Sequence, residues 1–127
     1  MNIEKLEGYM INIGLTFENI GKNTWVINDI EKGLNKVFII ADDPLVTIRV
    51  KVMEVPKDNR EAFFREILTL NATDLIHGAY ALENNDVIII DTLEYNTLDF
   101  EEFQASLDAI GLALAQHYQL LSKYRNN

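Results

Sequence analysis

The chain lacks several residues on which common chemistries depend. It has no cysteine, which excludes disulfides, thiolate nucleophiles and zinc–thiolate sites. No apolar run reaches the roughly 18 residues that a membrane span needs, so no membrane partner is expected. The N-terminus lacks the basic and apolar segments of a signal peptide. These absences make the cytoplasm the expected location.

Positive charge is also scarce. Eleven Lys and Arg residues stand against 20 Asp and Glu residues, which gives a net charge of −9 and an isoelectric point near 4.6. A surface of this sign repels phosphate backbones and anionic lipid, so we expect no nucleic-acid partner. A basic protein segment suits such a surface better.

Residues that carry catalysis are few and scattered. The two histidines are His77 and His117, and neither has a second histidine or a carboxylate at metal-ligand spacing on its own element. Neither serine lies in a Gly-x-Ser-x-Gly elbow, and the glycines form no Walker A loop or dinucleotide fingerprint. We therefore expect no enzyme, no metal and no cofactor. Most carboxylates fall in turns or on exposed helix faces, whereas Asp91 follows three isoleucines and is placed at the edge of a core.

The order of periodic segments predicts an α+β domain spanning residues 1–127. A helix over 3–13 ends near Gly14, and strands are predicted at 15–20, 24–28, 36–41 and 45–55. Asp58 and Glu61 have the spacing of a capping box, which predicts the start of a second helix that closes at 71–74. A hairpin at 77–82 and 87–92 follows. The predicted order is α-β-β-β-α-β-β-α, with up to four strands in the first meander and short turns that favour a mainly antiparallel sheet.

The last segment predicts a long amphipathic helix with Thr97 as its N-cap. Its apolar residues recur in steps of three and four, which places them on one stripe: Phe100, Phe103, Leu107, Ile110, Leu114, Tyr118 and Leu121. Gly111 interrupts the helix in its middle, which indicates close approach to another element or a slight bend. We interpret the helix as the cover of the protein's own sheet.

The middle helix has more apolar residues than one face can bury. Phe63 and Phe64 are adjacent and point about 100° apart on a helix, so the core explains one of them and not both. The candidate dimer or partner surface is therefore Phe63, Phe64, Ile67 and Leu68.

The segment from Leu70-Asn71 through His77-Gly78-Ala79-Tyr80-Ala81-Leu82 resembles the YbjN family, which shares its fold with class I type III secretion chaperones of the Tir-chaperone type. The run from Val87 to Leu93 and the amphipathic helix after Leu98 fit the same pattern. The resemblance implies a twisted antiparallel sheet packed by helices, a homodimer, and a surface that holds an unfolded segment of a partner protein. It implies no catalytic residues.

Two functions follow for testing. The first is a non-enzymatic, homodimeric protein-binding module that holds an unfolded or basic segment. The alternative is a small-ligand-binding sensor or regulatory protein with a cleft between sheet and helices, in which Asp91 or His77 supplies a polar group. A structural subunit of a larger assembly is a third possibility.

Overall fold

A computed structural model describes residues 1–125. Its three α-helices are α1 (Glu4–Ile13), α2 (Arg60–Thr73) and α3 (Phe100–Ser122). Its six strands are β1 (Phe17–Gly21), β2 (Thr24–Asp29), β3 (Leu34–Asp42), β4 (Leu45–Glu54), β5 (Ala79–Glu83) and β6 (Asp86–Glu94). Short 3-10 turns at Ile30–Lys32 and Tyr95–Thr97 precede β3 and α3.

All strands join one antiparallel sheet of order β1-β2-β3-β4-β6-β5. The first four strands form a meander, and after α2 the chain returns so that β6 pairs with β4 and β5 becomes an edge. The antiparallel α+β architecture predicted from the short turns is confirmed. The meander has four strands, the upper number expected, so the order contains one strand more than α-β-β-β-α-β-β-α.

The core lies between one face of the sheet and the three helices. Residues of β4 alternate, with Val46, Ile48 and Val50 buried, as the sequence pattern predicts for a strand with one wet face. They join one cluster of buried residues contributed by every helix, including Met10, Phe63 and Phe103. Val26 and Ile88 are buried but lie outside that cluster, because they point to the opposite face of the sheet.

Helix α3 covers this core, as predicted, but its buried stripe differs from the predicted one, of which Phe100 and Leu114 are only half-buried. Phe103, Leu107, Ile110 and Leu121 are buried, whereas Tyr118 is exposed and His117 is buried in its place. Seven residues span slightly less than two full turns of a helix. His117 therefore follows Ile110 on the buried side, and its ring finds hydrogen-bond partners there.

The predicted helix starts need correction. Asp99 caps α3, since its side chain accepts a hydrogen bond of 2.8 Å from the backbone N–H of Glu102, and Thr97 belongs to the preceding 3-10 turn. The capping box of α2 does not form. Asn59 precedes the helix in a left-handed conformation with φ of 56° and makes no side-chain cap, so the chain enters α2 through a sharp turn that leaves Asp58 outside it.

Gly111 marks a close approach, as its position in mid-helix indicates. A Cβ atom at Gly111 would lie 3.2 Å from the carbonyl oxygen of Lys32 and 3.5 Å from Cδ2 of Leu34. The glycine therefore lets α3 contact the turn between β2 and β3 directly.

Candidate functional site

An apolar groove lies between α2 and the edge strand β5. We call it the α2–β5 groove. It encloses about 370 Å³. Its lining residues are Phe63, Phe64, Ile67, Leu68, Tyr80, Ala81 and Leu82. All four residues of the predicted surface thus meet at one groove, together with three residues of β5 that sequence reasoning did not assign to it.

The four predicted residues differ in burial. Phe63 is fully buried and Ile67 is 6% exposed, so both belong to the core. Phe64 is half-buried and contacts Phe63 edge to face, with ring centroids 5.6 Å apart. Leu68 is 66% exposed. The division of the two phenylalanines between core and margin follows from their angular separation on the helix, and Phe64 and Leu68 are the residues of the predicted surface that remain accessible.

Exposed apolar side chains continue from the helix to the strand. Leu82 of β5 is 55% exposed, and it lines the same groove as Leu68. A scattered surface leucine needs no explanation, whereas apolar side chains that line a common groove indicate an interaction site.

Asn71 fixes the distance between α2 and β5. Its side-chain Nδ2 donates to the carbonyl oxygen of Tyr80 at 3.1 Å, and its Oδ1 accepts from the N–H of Tyr80 at 2.7 Å. These two bonds occupy the backbone groups that Tyr80 turns away from β6. The side chain of Asn71 therefore takes the place of a neighbouring strand at the middle of β5.

A hydrogen-bonded group of three side chains, centred on the buried His117, lies behind the groove. His117 is 3% exposed, its Nε2 lies 2.9 Å from Oδ2 of Asp74, and its Nδ1 lies 2.7 Å from the hydroxyl of Tyr80. In the neutral imidazole Nε2 donates to the carboxylate, which can only accept, and Nδ1 accepts from the tyrosine hydroxyl. This hydrogen-bonded group therefore joins α3 to β5 and to the end of α2.

Two side chains of this hydrogen-bonded group, Tyr80 and Asp74, have shifted pKa values. Burial raises the pKa of Tyr80 to about 12. The pKa of Asp74 is lowered by the hydrogen bond from Thr73 and then by the bond from His117. Sequence reasoning missed this group because Tyr80 and Asp74 are 37 and 43 positions from His117, so no local spacing signals it.

The other polar candidates lie apart from the groove. Asp91 is half-buried at the edge of the core, where it accepts a hydrogen bond of 2.6 Å from the buried hydroxyl of Ser106. His77 lies in the turn before β5. Within residues 1–125, no group of three or more His, Asp or Glu side chains is arranged to hold a metal ion.

The opposite edge of the sheet is open. Four of the five residues of β1 are exposed, and within residues 1–125 its register partners all lie in β2. The part of the chain that the structure describes contains no helix long and apolar enough to cross a membrane.

Solved structures share this fold at low sequence identity. YbjN from E. coli superposes with a TM-score of 0.70 at 11% identity, over 94% of this chain and 92% of that one. The HopA1–SchA chaperone–effector complex gives a TM-score of 0.62 at 7% identity, over 98% of this chain and 92% of that one. The heterodimeric ExoU–SpcU complex from the type III secretion system of Pseudomonas aeruginosa gives 0.62 at 8% identity, over 87% and 93%.

The family comparison agrees with the fold. No curated protein matches the chain, but the family model CesT_Tir_1 matches residues 1–127. The resemblance to YbjN and to type III secretion chaperones is thereby confirmed. The chain belongs to the CesT_Tir_1 family of type III chaperones.

Proposed function

We propose that the chain is a non-enzymatic, cytoplasmic chaperone-like protein that pairs with a second copy and holds an unfolded segment of a partner protein. The observation that carries the proposal is the α2–β5 groove, whose exposed margin is apolar in a chain of net charge −9. Two structures that share the fold are complexes: one joins a chaperone to an effector, and the other is a heterodimer. These neighbours support a protein as the partner.

We assign the groove to the second copy. Leu68 and Leu82 are more than half exposed, and a two-fold axis beside α2 would bring the same leucines of two chains together, as an isologous contact requires. Since the patch carries little polar surface, burying it excludes water without leaving unpaired polar groups.

The dimer is tested by Leu68→Asp with Leu112→Asp as a matched control. Both leucines are exposed on helices, by 66% and 56%, but only Leu68 lines the groove. Light scattering at high micromolar concentration should give the wild type and Leu112→Asp twice the chain mass of 14.6 kDa. Leu68→Asp should give the single mass. A monomeric wild type, or a dimer that Leu68→Asp leaves intact, would contradict the assignment. Phe64→Asp should also weaken the dimer, but Phe64 touches the core, so its effect on folding must be measured alongside.

We assign the unfolded segment to the edge of β1. An exposed strand edge accepts an extended peptide through backbone hydrogen bonds, and Asn71 already occupies the outward groups of Tyr80 at the other edge. The net negative charge favours a basic segment.

Co-purification from the native cell identifies the partner, and a peptide of its bound segment then permits hydrogen–deuterium exchange on the complex. We expect added protection of β1 amides and none at Tyr80. A peptide that protects β5 alone would contradict the assignment, and a small molecule that recurs in place of a protein would overturn the chaperone function.

A further inference from the structure

A second cleft lies on the other side of Tyr80. It is bounded by the C-terminal half of α3, the start of β3 and the C-terminal half of β4. It encloses about 330 Å³, which is within the range of small-molecule sites. Its inner walls are apolar and include Val50, Leu114 and Leu121. Neither Asp91 nor His77 lines it, which corrects the polar groups expected from the sequence for such a cleft, and His117 lies in its wall instead.

The charged residues that line this cleft are all basic, unlike those of the chain as a whole. Its eleven lining residues include Lys51 and Arg125 but no aspartate or glutamate, although the chain has 20 acidic and 11 basic residues. Lys51 is partly neutralised, since its Nζ lies 3.4 Å from Asp86 and 3.8 Å from Glu54. Arg125 is the lining cation that forms no ion pair with another residue among 1–125.

The position of Arg125 is set without a carboxylate from residues 1–125. Its Nη1 donates to the carbonyl oxygen of Tyr118 at 3.2 Å and to the hydroxyl of Ser122 at 3.4 Å. Its guanidinium stacks over the ring of Tyr118 at 4.7 Å. Because no carboxylate among residues 1–125 pairs with it, the guanidinium can pair with an anion at the cleft. Its charge also reaches the inner wall, where it opposes the increase that burial and the carboxylate of Asp74 cause in the pKa of Tyr80.

The polar groups deeper in the cleft already have partners. His117 is bonded at both ring nitrogens, to Tyr80 and to Asp74, so it offers a ligand no free donor or acceptor. The interior therefore favours an apolar body, and the rim at Arg125 favours one negative charge.

We infer that this cleft binds a small amphipathic carboxylate, with its apolar body between Leu114 and Val50 and its carboxylate on Arg125. This inference goes beyond the proposed chaperone role and does not depend on it, since the cleft and the α2–β5 groove share only Tyr80 among their lining residues.

The test is a titration of the full, isotope-labelled chain with 4-phenylbutyrate, followed by NMR. We expect saturable shifts at the amides of Val50, Leu114 and Arg125, and none at Phe64 or Leu68. The neutral analogue 4-phenylbutan-1-ol, which keeps the apolar body, should bind about tenfold more weakly, as expected for the loss of one charge-assisted hydrogen bond.

Variants separate the charge from the fold. Arg125→Gln should weaken 4-phenylbutyrate binding about tenfold while the unbound spectrum elsewhere stays the same. Arg65→Gln, at a cation on α2 whose side chain is 78% exposed, should leave the affinity unchanged. Leu114→Trp should fill the cleft and abolish binding. Equal binding of acid and alcohol, shifts confined to the α2–β5 groove, or no saturable binding would each overturn the inference. None of those results bears on the mass of the dimer.

Discussion

At the scale of single residues, the fold satisfies its buried polar side chains by long-range pairing. Ser106 is fully buried, and its hydroxyl bonds to Asp91 of the neighbouring β6. Among residues 1–125, no buried side-chain nitrogen or oxygen lacks a hydrogen-bond partner. The Ser106–Asp91 pair therefore links α3 to β6, and removing the serine hydroxyl takes a hydrogen-bond donor away from Asp91.

Ser106→Ala tests this pairing. It removes the donor to Asp91, so unfolding in denaturant should require about 1–3 kcal/mol less free energy than in the wild type. Ser122 on the same helix is the control, because within the described part of the chain its hydroxyl bonds only to near neighbours in sequence, the carbonyl of Tyr118 and the guanidinium of Arg125. Ser122→Ala should change stability by less than about 0.5 kcal/mol. Equal losses of unfolding free energy in the two variants would contradict a particular contribution of the Ser106–Asp91 bond to stability.

Asp74 gives the fold a defined response to acid. Its pKa is lowered in the folded chain by Thr73 and His117, so the ionised carboxylate stabilises the fold above its unfolded pKa of about 3.9. That contribution is lost as the pH falls through the folded value. Asp74→Asn should therefore lower the melting temperature at pH 6, and the difference from the wild type should shrink towards pH 3. Asp58→Asn, at an exposed carboxylate, should show no such convergence, and a constant difference for Asp74→Asn would contradict the account.

At the scale of elements, two helical glycines allow a matched comparison. A Cβ atom added at Gly8 in α1 would have nothing within 4 Å, whereas one added at Gly111 in α3 would lie 3.2 Å from the carbonyl oxygen of Lys32. Gly8→Ala should stabilise the chain by about 0.5–1 kcal/mol, since alanine is the better helix former. Gly111→Ala should destabilise it, because the contact with a backbone oxygen outweighs the same gain. Thermal melting of the two variants measures the signs, and a stabilised Gly111→Ala would mean that the turn between β2 and β3 yields easily.

The elements that the sequence predicted well are those with a strong period. The alternation in β4 and the three-and-four spacing in α3 depend on which side chains reach the core, and that pattern survives in the fold. Helix starts were predicted less well, because several residues near each start can cap, and Asp99 rather than Thr97 does so. The choice depends on how the chain arrives, which the preceding 3-10 turn decides.

The candidate surface was predictable only in part. The adjacent pair Phe63 and Phe64 signalled that α2 has more apolar surface than one face can bury. The contribution of β5 could not be predicted, because Leu82 becomes part of the groove only through the packing of the strand beside α2. The cleft at Arg125 was hidden for the same reason, since its walls come from four separate stretches of the chain.

At the scale of the whole molecule, the net charge of −9 governs how the chain meets a partner. If the proposed partner segment is basic, long-range attraction accelerates encounter and salt screens it. Raising sodium chloride from about 50 to about 500 mM should lower the association rate about tenfold or more while the dissociation rate changes less. Stopped-flow mixing with the partner peptide measures both, and a rate insensitive to salt would indicate an uncharged or acidic segment.

The bonds from Asn71 to Tyr80 have a consequence for how far an assembly of this chain can grow. A sheet with two free edges can pair with another copy at each edge. Every added copy then leaves one edge free for the next, and the product is a fibre. Here the side chain of Asn71 occupies the outward backbone groups of Tyr80 at the middle of β5, so we expect strand pairing at this edge to be blocked. A pairing that begins at β1 should then stop after one addition. Asn71→Ala should restore the second site, and slow turbidity growth in that variant at a protein concentration where the wild type stays clear would reveal it.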